Sequence, residues 1–360
     1  REHNTKKTVE QASLIVPKDF KHSLCTGSTG SGKTTSFLYP NIMDRLEHGH
    51  GILLYDYKGK EHKSVKYFAD KYNRLDDILE IGNPYSSSCN LISYFNEGEL
   101  KKFVSSLMSL GQDNSYWEIT SSNIVVAIWK SVKAYLAIIE AASDINNKRS
   151  FNNVIDRFKL PTAVTFTEIV NVTQSIKKIA LFLIKLQKLS ARFMIMTQKK
   201  IEDYYESHGS DASKDKYLAL ITKTLAFESI VNNELKALEV FKDALEDDGN
   251  RSTSLTTLMI AMGPPFSSVA DNKMFNDSNG IDIAKALNDG KIIIVNSQEL
   301  NTPLLASFTG SILNELSKRS GQTNINPISV FLDEAQRILT PEVPIFSDVL
   351  RENFVEIFIV

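Results

Sequence analysis

Residues 27–34 read Gly-Ser-Thr-Gly-Ser-Gly-Lys-Thr, a GxxxxGK[ST] segment that directly follows a short strand-like run at 22–26 and directly precedes a helix-like stretch. Glycines at such positions let consecutive backbone N–H groups turn inward around phosphate oxygens, and the helix that follows adds the positive end of its dipole. Gly27, Ser28, Thr29, Gly30, Ser31, Gly32, Lys33, Thr34 and Thr35 are therefore the candidate nucleotide-binding residues. Lys33 is expected to reach the β- and γ-phosphates, and the Thr34 hydroxyl to take a Mg²⁺ site. A loop of this kind needs a strand, a turn and a helix in that order, which commits this part of the chain to an α/β sheet.

The surrounding pattern agrees. GILLYD at 51–56 and Ile78–Ile81 are short apolar runs followed by glycine-containing turns, and the style returns at KIIIVN (291–296), ISVFLD (328–333) and VEIFIV (355–360). Runs of this length punctuated by helix-like segments feed a parallel sheet buried on both faces. Thr302-Pro303 is expected to start a helix, hydroxyl cap first and proline next, and Ser320-Gly321 to end it. From about Gly98 to Met262 glycine and proline are scarce and apolar residues recur at three- and four-residue spacing, as in Ile124–Ile139, Val170–Met196 and Leu218–Leu245. The expected organisation is a nucleotide-binding domain in two segments, 1–97 and 251–360, with an all-α domain inserted at 98–250. Within the second segment, Ser252–Met262 reads as a helix stopped by Gly263-Pro264-Pro265.

Hydrolysis needs a carboxylate to steady Mg²⁺ and a base to orient water. Asp333-Glu334, at the end of the apolar run 328–332, supplies both, Asp333 for the metal shell and Glu334 for the water. A third polar strand end, Asp56-Tyr57-Lys58-Gly59-Lys60, has two readings. Carboxyl ends of parallel strands face the ligand crevice, which would put these charges beside the phosphates; equally, a polar strand end with a glycine turn needs no ligand.

Composition limits the partners. The 360 residues carry 41 basic and 43 acidic side chains, so no global positive field advertises nucleic acid or an anionic membrane, and such a partner needs a local patch. Cys25 and Cys89 fit neither a metal spacing nor a CxxC motif. No uninterrupted apolar stretch is longer than the six residues of Ile179–Ile184, far short of the roughly 20 that cross a bilayer. The chain opens on Arg1 and closes on Ile357–Val360, and both ends are expected to be cut from something longer.

The GSTGSGKTT loop, the Asp56–Lys60 strand end, Asn83-Pro84, Tyr116-Trp117 at the head of the helical insertion and FLDEAQRI together resemble the coupling proteins of type IV secretion systems. These are conjugative DNA-transfer ATPases of the FtsK/HerA-like P-loop superfamily. The resemblance covers the whole chain in outline and is specific at its two ends. It implies a RecA-like nucleotide-binding domain with an inserted all-α domain, ATP and Mg²⁺ as ligands, and a homo-hexameric ring at the cytoplasmic face of the bacterial inner membrane. Its partners would be DNA, relaxase or effector proteins and other secretion components, with transmembrane segments absent from this chain and the fragment by itself a monomer. Lys33 and Thr34 match the family's Walker A pair, and Asp333 and Glu334 its Walker B pair. Arg351 falls where the family carries an arginine directed at a neighbouring subunit's γ-phosphate. The family's sensor glutamine would lie beyond Val360, and Lys60 stands where a glutamate is common. The assembly-type secretion ATPase, or a recruitment platform with little turnover, is the alternative.

Fainter features have bland readings. Lys177, Lys178, Lys185, Lys188, Arg192, Lys199 and Lys200 form a basic stripe with no acidic residue between Val170 and Ile201. Such a stripe suits phosphates or a partner, but also the solvated face of an amphipathic helix whose core side is Ile176, Ile179, Leu183, Leu186 and Phe193. His48, His50 and His62 lack a ligand set and read as surface histidines. Trp117 and Trp129 read as core packing.

Overall fold

The computed structural model describes residues 21–28, 30–83, 86–109, 115–208, 215–246, 250–298, 300, 302–319, 325–339 and 347–360. Along the chain the first elements are β1 (Ser23–Leu24), α1 (Tyr39–Glu47), β2 (Gly51–Asp56), α2 (Glu61–Lys71) and β3 (Ile78–Ile81). Helices follow: α3 (Glu97–Ser109), α4 (Ser115–Ser143), α5 (Lys148–Phe158), α6 (Phe166–Thr173), α7 (Ile176–His208), α8 (Asp215–Ser229), α9 (Glu239–Glu246) and α10 (Asn250–Ala270). The last part holds α11 (Ile283–Asn288), β4 (Ile292–Asn296), α12 (Thr302–Leu316), β5 (Ile328–Leu332), α13 (Ser347–Glu352) and β6 (Val355–Ile359).

The chain divides into two compact units. One gathers the chain up to Ser86 with Ile283–Glu299 and Ile312–Val360; the other holds Ser87–Asp282 and Leu300–Ser311. The second unit is wider than the insertion expected at 98–250 and takes in most of α12. In the first unit six strands form one sheet in the order β1-β6-β5-β2-β4-β3, every neighbouring pair parallel. The α/β class with a parallel sheet expected from the sequence is thus present. Every residue of β2 and β5 is buried, which explains their unbroken apolar runs. Side chains alternate between faces: Ile52, Leu54, Ile292, Ile294, Phe331 and Phe358 pack with Leu38, Ile42 and Leu46 of the segment after the glycine loop and with Val65 and Ala69 of α2.

A charged group lies inside this unit. Glu356 of β6 is 1% exposed and takes a two-pronged bond from Arg45 at the end of α1, Nε to Oε1 at 2.5 Å and the second amino group to Oε2 at 3.0 Å. Ser329, its register partner on β5, donates to the same Oε1 at 2.6 Å. The Ser329 hydroxyl proton is thereby used, so the His50 Nδ1–H must be the donor in the 2.9 Å bond to Ser329 Oγ. Burial and the neighbouring Arg45 hold the His50 imidazole neutral, with its pKa lowered to about 4. His50 is thus a core residue, not the surface histidine expected; a lone histidine next to a glycine turn carries no sequence signal of the buried serine it meets.

The second unit is helical apart from isolated bridges at Cys89–Ile281 and Asn90–Asn276. Edge-to-face aromatic pairs thread its core: Phe95–Phe103, Phe103–Phe166 and Phe166–Phe266, with centroids 5.4–5.5 Å apart. Two expectations change. The Val170–Met196 periodicity is divided between α6 and α7, because Ser175 caps the new helix at the Lys178 N–H. And α10 continues through Gly263-Pro264-Pro265 to Ala270. Proline in a helix interior forfeits a backbone bond and crowds the preceding turn, but Met262, Phe266 and Val269 are each 1% exposed, so burial on both sides of the prolines outweighs that loss. On α7, Ile179, Leu183, Leu186 and Phe193 are fully buried while Lys177, Lys178, Lys188, Arg192 and Lys199 are exposed, the amphipathic division expected. Lys185 and Lys200 are half-buried. Trp129 is 5% exposed with the Lys133 ammonium 4.7 Å above its ring.

The buried network predicts two measurements. Glu356→Ala strands Arg45 without its buried carboxylate and is expected to lower stability by about 3 kcal/mol in denaturant unfolding. The unfolded His50 takes up a proton near pH 6.5 while the folded one resists down to about pH 4. Stability is therefore expected to fall as pH drops from 6.5 to 4, and less steeply in His50→Gln.

Candidate active site

Parallel strands deliver their carboxyl ends to one edge of the sheet. In the first unit that edge forms a cleft of about 600 Å³, lined by the loop after β1, by Lys58 after β2, by residues 333–336 after β5, and by Ile359 and Val360 closing β6. One strand, β6, separates the loop's strand from that of the acidic pair. Cys25 N–H donates to Ile359 O and Ala335 N–H to Val360 O, so both flanks of the cleft hang on the end of β6.

The loop has the backbone that inward-turned amides require. Gly30 and Gly32 have φ of 81° and 82°, a left-handed conformation that side chains resist. A Cβ on Gly27 would lie 2.8 Å from Ser31 Oγ. Lys33 folds over the loop and donates from Nζ to the carbonyls of Gly27 (2.7 Å) and Ser28 (3.3 Å). Ser36 N–H to Gly32 O and Thr35 Oγ1 to Gly32 O start the helix, whose first turn is wide, Tyr39 N–H reaching back to Thr34 O. Thr29 lies outside the described residues. The cradle of glycines, the lysine at its mouth and a threonine at the head of the helix fit a triphosphate.

Asp333 is 1% exposed, and Glu334 beside it has φ of 56°, an uncommon left-handed backbone for a residue with a side chain. Strain of that kind, of order 1 kcal/mol or more, clusters where a side chain must be aimed. Lys58 Nζ bridges the pair, 3.1 Å from Asp333 Oδ2 and 3.2 Å from Glu334 Oε1, while Gln336 donates to the other Glu334 oxygen. Burial pushes the Glu334 carboxyl up, but the bonds from Gln336 and Lys58 outweigh it and hold the group below its ordinary value. Burial likewise disfavours the Lys58 cation, yet its two carboxylates raise its pKa. Among the described residues no group of three or more His, Cys, Asp or Glu side chains is arranged to hold a metal. Mg²⁺ bound with a nucleotide takes most of its ligands from phosphates and water and needs only one or two from protein; Thr34 and Asp333 are the groups that line this cleft for it.

The Asp56–Lys60 segment divides its labour. Asp56 turns away from the cleft and caps α2, accepting from the N–H groups of Lys60 and His62 and from His62 Nδ1 at 2.8–3.1 Å. Burial raises the Asp56 carboxyl, but these bonds prevail and lower it. Lys58 alone of the segment lines the cleft. Its role had no sequence signal beyond its place at a strand end, because the adjacency of β2 and β5 is a property of the sheet. Arg351 is not in the cleft. It is exposed on α13, at the amino end of β6, the opposite edge of the sheet from the loop. Asn83 accepts from Asn296 at 2.8 Å, and Pro84 lies outside the described residues. Asp56→Ala removes three hydrogen bonds from the start of α2 and is expected to lower stability by about 2 kcal/mol in denaturant unfolding.

No protein-family model matches the chain, and no curated protein does. Among solved structures it is similar to a bacterial conjugative coupling protein, TrwBdeltaN70 in an unbound monoclinic form, at 12% identity and a TM-score of 0.44. The alignment covers 94% of this chain and 61% of that one, so the chain spans less than two thirds of the length of the coupling protein.

Proposed function

We propose that this chain is an ATPase of the conjugative coupling type, hydrolysing ATP in the cleft of its parallel sheet to drive transfer of DNA or of protein bound to it. The observation that supports this reading is the meeting of the glycine loop and the Asp333-Glu334 pair in one cleft, with Glu334 aimed by a left-handed backbone. ATP with Mg²⁺ supplies the reacting phosphoryl group and the metal that neutralises its oxygens. The loop amides from Gly27 to Thr35 cradle the phosphates, Lys33 exchanges its carbonyl partners for phosphate oxygens, and Thr34 and Asp333 hold the metal. Glu334, kept ionised by Lys58 and Gln336, accepts a proton from the attacking water and orients it for in-line displacement. Arg351, remote from its own cleft, serves the site of a neighbouring copy in a homo-hexameric ring. The sequence resemblance further suggests the cytoplasmic face of the bacterial inner membrane as the place of action, with relaxase or effector proteins as partners. Among the described residues no helix is long and apolar enough to cross a membrane.

The two halves of the site predict different defects. Lys33→Ala is expected to weaken ATP binding by tenfold or more, read by calorimetry, whereas Glu334→Gln keeps binding and loses turnover. Parental turnover in Glu334→Gln would remove the base from this scheme. DNA is expected to raise the ATPase rate of the parental protein, and a rate indifferent to single-stranded and duplex DNA would remove DNA as cargo.

The α7 stripe is the local basic patch that a near-neutral chain needs for DNA. Reversing Lys188, Arg192 and Lys199 to Glu is expected to leave the melting temperature within a few degrees, since all three are exposed. The same change should weaken DNA binding and flatten its salt dependence, because fewer counterions are released. Unchanged affinity and salt slope would return the stripe to a solvated helix face.

A further inference from the structure

Both cations that line the cleft are engaged with protein oxygens, but not equally. Lys33 holds two neutral carbonyls of its own loop, whereas Lys58 sits between two carboxylates, the same two that the proposed reaction assigns to the metal and to the water. Asp333 is buried, with a side chain only 2% exposed, so its charge has little water to satisfy it. The Lys58 side chain is 41% exposed and its stem is free to swing outward.

The backbone that carries it is fixed. Asp56 ties the residues after it to α2 through Lys60 and His62. The Arg337 guanidinium, on the turn after the acidic pair, stacks 4.5 Å from the centre of the Tyr57 ring. Gly59 has φ of 66°, and a Cβ there would stand 2.9 Å from Gln298 Oε1. The loop after β2 is thus held against the turn after β5 on one side of Lys58 and approaches the loop after β4 on the other, which leaves the exposed Lys58 side chain as the part that can move. An ammonium ion and a divalent cation cannot share the same oxygens, since like charges at that separation repel strongly.

We propose that Lys58 is a built-in counter-cation, a positioning residue that competes with the divalent metal for the Asp333-Glu334 pair. Entry of metal with nucleotide displaces the ammonium, and that displacement frees Glu334 Oε1 for the attacking water. Lys58 therefore holds the pair in place before nucleotide binds, and makes release of the base conditional on the metal. The proposal rests on the nucleotide-site reading above.

The test is Mn²⁺ binding, followed by electron paramagnetic resonance in the presence of a saturating non-hydrolysable ATP analogue. Removing the competitor in Lys58→Met is expected to tighten Mn²⁺ by about fivefold, the scale of one partly exposed ion pair. Lys58→Gln, which also lacks the charge, is expected to do the same, and Lys60→Met, which removes one charge from the neighbouring exposed position, to match the parent. Analogue affinity without metal should be unchanged in both Lys58 variants. Mn²⁺ affinity in both Lys58 variants equal to or weaker than the parental value would overturn the proposal and leave Lys58 a clamp between two loops. Asp333→Asn separates this from failure of the underlying reading. Loss of Mn²⁺ binding in Asp333→Asn keeps the metal at the acidic pair, whereas parental Mn²⁺ binding there would overturn both.

Discussion

A carboxylate inside a parallel sheet is the constraint on which the cleft depends. Glu356 occupies a strand position that would ordinarily be apolar, and a bare charge there would destabilise the fold by several kcal/mol. The fold answers by bringing Arg45 in from the end of α1 and Ser329 from the neighbouring strand. Since α1 follows the glycine loop, this bond ties the far end of that helix to β6. The short β1 is paired through Ser23 and Leu24 to Phe358 and Ile359 of the same strand. The strand before the loop and the helix after it are thus both tied to β6, and a loop carried between two anchored elements is preorganised in the sense that electrostatic stabilisation of a phosphoryl group requires.

The side chains of the cleft come from three strand ends set by the sheet order. β1 leads into the glycine loop, β5 into the carboxylate pair and β2 into the lysine that bridges it, while β6 serves as the spacer whose terminal carbonyls receive Cys25 and Ala335. Asp56 and Lys58, two residues apart on one strand end, take opposite duties: one is spent on the start of α2, and the other reaches the cleft. Residues two apart on a strand share a face, so the division is made by the bend at 57–59, where the chain leaves β2.

The helical unit is organised by different physics. Its core is a run of aromatic edges meeting faces, from Phe95 through Phe266, and this packing is strong enough to carry α10 across two consecutive prolines. The α7 helix shows how little a charge stripe says by itself. Lys177, Lys178, Lys188 and Lys199 are exposed because Leu183, Leu186 and Phe193 on the other side are buried, and the same division serves a solvated face or a phosphate-binding one.

Much of this protein was legible in its sequence. The glycine loop, the strand-like runs at 51–56, 78–81, 291–296, 328–333 and 355–360, and the acidic pair are local patterns, and local patterns are set by neighbours in the chain. The strands appear within a residue or two of those limits, with β1 shortened to Ser23–Leu24. What tertiary structure alone decided is everything that depends on which strands lie side by side. The buried His50 meets Ser329, 279 positions away, and Lys58 meets Asp333, 275 positions away. The continuation of α10 needs the core around Phe266, against a proline signal that points the other way. Sequence periodicity reports which face of an element is apolar, but not the order in which parallel strands pair, because every strand buried on both sides carries the same apolar run.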